Sequence, residues 1–149
     1  MSTVVEVGYK VVSPGAAEPC YATPGAAGMD LAACLSQPLV LKPGKVGMVP
    51  TGIAIQIPRR EYAGLIFARS GLAARHGIAL ANGVGVIDSD YTGEIICALL
   101  NNSDQPFTVN HGDRIAQLVV VPIAVAKLKL VENLDPTRRS DGGFGSTGR

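Results

Sequence analysis

Apolar residues in this chain recur at every second position or in short unbroken runs, and turn residues cut each run short. Ile53, Ile55 and Ile57 alternate with Ala54 and Gln56, the spacing of a strand with one buried face and one open face. Arg114–Val121 closes on consecutive valines and reads as a strand buried on both faces. Further strand patterns lie at 3–12, at Pro38–Val49 around a turn at Lys42–Lys45, at Thr51–Pro58, at Tyr62–Ala68 and at Phe107–Val109. Two more flank Asp88–Gly93 and read as strands folding back on each other, with the polar stretch at the bend. The 18 glycines and 10 prolines in 149 residues supply the turns. Only Leu72–Arg75 favours a helix; Ser70 is suited to cap its start and Gly77 its end, so a helix over 71–76 is expected. These patterns predict an all-β, jelly-roll-like sandwich or barrel in one domain over residues 1–137.

Composition narrows the function. Hydrophobic residues make up 47% and charged residues 17% of the chain, enough for a core and too apolar for disorder. A net charge of +1 gives no long-range field for a nucleic-acid polymer, so none is expected as a partner. Cys20, Cys34 and Cys97 form no CxxC pair, and with only His76 and His111 beside them no zinc site is suggested. Met1–Lys10 lacks a basic segment followed by an apolar run, and no apolar stretch reaches membrane-spanning length. A cytoplasmic setting is the default expectation, with nuclear and viral contexts left open.

Four stretches carry chemistry. Arg69-Ser70-Gly71 stands at the start of the predicted helix and brings a guanidinium, a hydroxyl and a free backbone N–H together, a set suited to anions. Asn82–Glu94 gathers Asp88, Asp90 and Glu94 around Tyr91; a ring at a polar bend suits a sugar platform beside a general base. Asp30 is a lone carboxylate in an apolar run, and Arg114 and Gln117 open a buried strand where unpaired polar groups are costly. The end of the chain, residues 138–149, is a glycine-rich arm with one ring, Phe144, and with Arg139 as a planar donor fork suited to phosphate. It reads as a mobile arm that closes over a phosphorylated, flat-ringed ligand. Two nucleotide motifs are absent: Leu39 and Val46 break a P-loop around Gly44-Lys45, and Gly83–Asp88 lacks the third glycine of the dinucleotide fingerprint.

Five segments in order resemble the motifs of the trimeric dUTPase family (deoxyuridine 5′-triphosphate nucleotidohydrolase). They are Ala27–Leu31, Arg69–Ala73, Gly85–Glu94, Gly112–Leu118 and Arg139–Gly148. The resemblance implies a homotrimer with shared active sites that hydrolyses dUTP to dUMP and pyrophosphate. It implies Asp88 as the general base for a water attacking the α-phosphorus, and Tyr91 packed on the deoxyribose so that a 2′-hydroxyl is excluded. Asn82, Gly85, Val86, Ile87 and Ile96 would meet the uracil edge. Arg69, Ser70, Gly71 and Gln117 would hold phosphates. Phe144 would stack on the base, while Arg139, Ser146 and Thr147 would clamp the γ-phosphate, with Gly145 among the substrate-binding residues. Mg²⁺ would travel with the triphosphate and meet Asp30 through water. The chain departs from the family pattern at Ser140 and Asp141, where the arm usually reads Arg-Gly-x-Gly-Gly-Phe. Two alternatives share some of these features: a dCTP deaminase, and a nucleotide-dependent interaction protein that docks partners through its arm.

Overall fold

The computed structural model of the chain describes residues 4–146 and 148. It contains eleven strands and one helix. The strands are β1 (Gly8–Val11), β2 (Cys20–Tyr21), β3 (Met29–Ala32), β4 (Leu39–Leu41), β5 (Val46–Gln56), β6 (Tyr62–Ala68), β7 (Ile78–Leu80), β8 (Gly85–Ile87), β9 (Glu94–Asn101), β10 (Phe107–Val109) and β11 (Arg114–Pro122); α1 (Ser70–His76) follows β6. A four-stranded sheet in the order β1-β5-β9-β7 faces a five-stranded sheet in the order β2-β3-β11-β6-β8, with β10-β4 as a separate pair. The sheets are open, so the molecule takes the sandwich form of the expected jelly-roll-like fold. The alternating faces of β5, β9 and β11 meet in one core of Val49, Ile53, Ile55, Leu99, Ile115, Leu118 and their neighbours.

The strand patterns at 38–49 and 51–58 meet in a single long β5, which Pro50 does not end. The β5–β9 register shifts between Pro50 and Ala54, and Gly52 takes a φ of 68° there, a bulge that absorbs the missing donor. Glu94 secures the bulge: its Oε1 accepts from the Gly52 N–H at 2.7 Å. Thr51 is buried beside it and donates its hydroxyl to the Ile95 carbonyl at 2.7 Å. The second half of β11 is only half-buried at Val119–Val121, so both faces are not covered within one chain as the valine run suggested. The expected strand over 3–12 narrows to β1, and Ile123–Val131 forms no strand.

Asn101 is the second fully buried polar side chain among the described residues and ties three segments together. Its Nδ2 donates to the Leu41 and Gln105 carbonyls at 2.9 and 2.7 Å, and its Oδ1 accepts from the Ser103 N–H at 2.9 Å. Asn101→Ala leaves these groups without partners in a dry site. We expect a loss of about 3 kcal/mol in unfolding free energy, read as a lower urea midpoint at fixed protein concentration; an unchanged midpoint would remove Asn101 as an anchor.

Candidate active site

The polar stretch Asp88–Gly93 is not the bend of a hairpin. β8 pairs with β6 and β9 pairs with β5 and β7, so the two strands enter opposite sheets. The expectation of strands folding back on each other is corrected here: residues 88–93 cross between the layers. Local alternation marks a strand but cannot name its partner, and here each strand finds more apolar surface in a different sheet.

This crossing creates a slot. β8 lies at the edge of its sheet, with one side of its backbone unpaired. β9 is covered by β7 only over Leu99–Asn101, leaving residues 94–98 without a strand on that side. The Ala98 carbonyl accepts from the Ala81 N–H on the β7 side at 2.8 Å. Residues two apart on a strand present their backbone groups to the same edge, so Ile96 directs its N–H and C=O into the slot. The cleft, about 450 Å³, is lined by Asn82, Gly85, Val86, Ile87, Asp88 and Tyr91 on one side and Glu94–Ala98 on the other. Apolar walls with unpaired backbone donors and acceptors along a narrow edge suit a flat heterocycle. Asn82, Gly85, Val86, Ile87 and Ile96, the residues that the resemblance places at the uracil edge, all line it, whereas Phe144 does not.

At its mouth, Tyr91 lies over Gly93: a Cβ on Gly93 would come within 2.7 Å of the Tyr91 Cζ. The phenol donates to the Glu94 carbonyl at 2.9 Å, so the hydroxyl end of the ring is held while the residue stays exposed. The Tyr91 N–H closes a turn on the Asp88 carbonyl at 3.1 Å. The Asp88 side chain is exposed and makes no ion pair or hydrogen bond with the described residues, leaving its oxygens open to water. Cys97 lines the slot, but burial pushes its thiol up to about 12, which leaves it protonated and a poor nucleophile.

A second cleft, about 530 Å³, holds the charged groups: Gly28, Asp30, Arg69, Ser70, Gly71, Arg75, Arg114 and Gln117 among its lining. The helix begins one residue earlier than expected. Arg69, not Ser70, is its N-cap, with extended backbone and no side-chain cap bond, so the Ser70 hydroxyl is not spent on capping. Asp30 sits between two arginines, accepting from Arg69 Nε at 3.1 Å and from Arg114 Nη1 at 3.0 Å. Arg69 also donates to the Arg114 carbonyl at 3.4 Å. Gln117 spends its amide on β6: Nε2 donates to the Ala68 carbonyl at 3.0 Å. Gly28 makes room for it, since a Cβ there would stand 2.8 Å from Gln117 Oε1. Arg114, in the sequence a charged group in need of a partner, finds it in Asp30, and Arg75, which no motif marks, lines the same cleft.

Among the described residues no group of three His, Cys, Asp or Glu side chains could hold a metal ion. Each Asp30 oxygen already accepts from an arginine. That set forms no protein cage and leaves Asp30 to reach a hard cation only through the ion's own water.

None of the arm's described residues lines either cleft. The arm folds on itself through short turns, with Arg139 Nε donating to the Gly142 carbonyl at 2.8 Å and the Ser146 N–H donating to Gly143 at 3.0 Å. Phe144 is fully exposed, and Ser140 adopts a φ of 45°, where the family pattern has glycine. Thr147 lies outside the described residues. No helix among the described residues is long and apolar enough to cross a membrane.

The profile of the dUTPase family matches residues 15–148. A deoxyuridine 5′-triphosphate nucleotidohydrolase of Desulfitobacterium hafniense is 55% identical over 130 residues, covering 87% of this chain and 86% of its own length. A dUTPase of Staphylococcus bacteriophage 80alpha, solved with dUpNHpp, superposes with a TM-score of 0.83 at 27% identity, covering 97% of this chain and 99% of that one. A mutant dUTPase from phage phi11 of S. aureus, solved with a structural Mg(II) ion, has a TM-score of 0.79 at 25% identity, covering 88% of this chain and 99% of that one. With the family profile spanning nearly the whole chain and both clefts built from its motifs, this chain belongs to the dUTPase family.

Proposed function

We propose that the chain hydrolyses dUTP to dUMP and pyrophosphate, limiting uracil entry into DNA and supplying dUMP for thymidylate synthesis. The observation that carries this reading is the slot between the diverging edges of β8 and β9, with Asp88 and Tyr91 at its mouth. Uracil enters edge-on, its carbonyls and N3–H meeting backbone groups of β8 and Ile96 and the Asn82 amide. A thymine methyl would press on the strand walls. Cytosine would present a donor where uracil presents an acceptor, leaving buried groups unpaired.

Asp88 accepts a proton from the water that attacks the α-phosphorus, and pyrophosphate leaves from the opposite side. Arg69, Ser70, Gly71 and Gln117 hold phosphate oxygens. Asp30 would hold a Mg²⁺ ion through water, and the ion, bound with the triphosphate, would supply charge neutralisation at the phosphates. Catalysis is then mostly positioning and charge neutralisation. Arg139, Phe144, Gly145, Ser146 and Thr147 close over the bound nucleotide.

Two observations support a homotrimer with shared sites. The base slot and the charged cleft have no lining residue in common within one chain. The segment Ile123–Val131 leaves the sandwich with Leu128 and Leu130 at 94% and 99% exposure, a large apolar cost unless another copy covers it.

The test is pyrophosphate release from dUTP, UTP, dTTP and dCTP with and without Mg²⁺, comparing the natural chain with Tyr91→Ala. The natural chain should turn over dUTP alone at an appreciable rate. The variant should raise the UTP-to-dUTP ratio of kcat/KM by about 10-fold or more. An unchanged ratio would remove Tyr91 as the sugar discriminator, and ammonia release from dCTP would replace hydrolysis with deamination.

A further inference from the structure

We infer that Arg75 is a further substrate-binding residue, which grips the distal phosphates of the triphosphate and makes the charged cleft select for the pyrophosphate moiety. This rests on the functional reading above. The cleft is lined by three arginines and one aspartate. Asp30 pairs with two of the arginines, Arg69 and Arg114, and its side chain is only 11% exposed. Arg69 spends a further donor on the Arg114 carbonyl. Arg75 makes no ion pair with the described residues, so its charge is the one in the cleft not already opposed by a carboxylate.

Its position in α1 gives it reach. Residues four apart share a helix face, so Gly71 and Arg75 stand on the same face of α1, and both line the cleft. Nothing lies within 4 Å of the place a Gly71 Cβ would occupy. Glycine within a helix costs roughly 0.5–1 kcal/mol relative to alanine, yet here it keeps the path open from Arg75 to the Arg69–Ser70 mouth. A guanidinium arriving along that path meets phosphate oxygens in a fork geometry, which an ammonium reproduces only as a point charge. The moiety that needs this charge is the pyrophosphate end, because dUMP carries its single phosphate next to the sugar platform and Asp88.

The experiment compares the natural chain with Arg75→Gln and Arg75→Lys by steady-state kinetics, and by calorimetric titration with inorganic pyrophosphate and with dUMP. Arg75→Gln is expected to raise the KM for dUTP and the Kd for pyrophosphate by about 10-fold, with kcat falling less than KM rises. The Kd for dUMP and the thermal midpoint should be unchanged, and Arg75→Lys should recover part of the lost affinity. Unchanged pyrophosphate affinity in Arg75→Gln overturns the assignment, and so does an equal loss of dUMP affinity, which would mark a structural role or a diffuse field. Titration with pyrophosphate reads Arg75 independently of turnover, whereas failure of the natural chain to hydrolyse dUTP would count against the enzymatic reading instead.

Discussion

Asp88→Asn is expected to lower kcat for dUTP by about 10²–10⁴-fold while leaving nucleotide affinity nearly intact. The side chain is exposed at the slot mouth and free of ion pairs, so the amide replaces it without disturbing a partner. What is lost is the capacity to accept the proton of the attacking water, a step made only in the transition state. The two quantities separate the roles: single-turnover rates read the chemistry, and calorimetry with a non-hydrolysable dUTP analogue reads binding. A variant that loses affinity in proportion to turnover would make Asp88 a binding group and leave the base to be sought elsewhere.

Removing residues 138–149 is expected to leave a folded, assembled protein that hydrolyses dUTP about 10²-fold more slowly. None of the arm's described residues belongs to the core, and their hydrogen bonds begin with Thr137–Ser140 contacts and run forward along the arm. The sandwich therefore loses no packing, and the thermal midpoint should stay where it was. Activity is expected to fall because without the arm the bound phosphates stay in water, where every electrostatic contact is screened. Full turnover in the truncated chain would reduce the arm to a tail. The φ of 45° at Ser140 costs a non-glycine residue roughly 1–2 kcal/mol, and this strain sits at the root of the arm, where a hinge would turn.

Much of this was legible in the residues. Period-two spacing at Ile53–Ile57 and the valine run of β11 mark strands because the pleat itself has that period. The stop and start signals around Ser70–Gly77 place the helix to within one residue, since αL geometry at Gly77 is a local matter. The motif residues Asp30, Arg69, Ser70, Gly71 and Gln117 do share one cleft, and Asn82, Gly85–Asp88, Tyr91 and Ile96 share the other.

Other features depend on contacts far apart in the chain. Tyr91 is held by a glycine and a carbonyl of its own segment, but the slot beside it exists only because β8 joins β6 and β9 joins β5. The ion pairs of Asp30 with Arg69 and Arg114 join β3, the N-cap of α1 just after β6, and β11, and only the antiparallel register of β11 with β3 and β6 brings them together. Arg75 gains significance only once its neighbours are seen to be neutralised. The sequence alone determined the strand content, the single helix and the chemistry available, because backbone geometry and side-chain type are local properties. Which strands pair, where an edge stays open and which charge is left unopposed were decided by the tertiary structure, because each is settled by competition among surfaces distant in sequence.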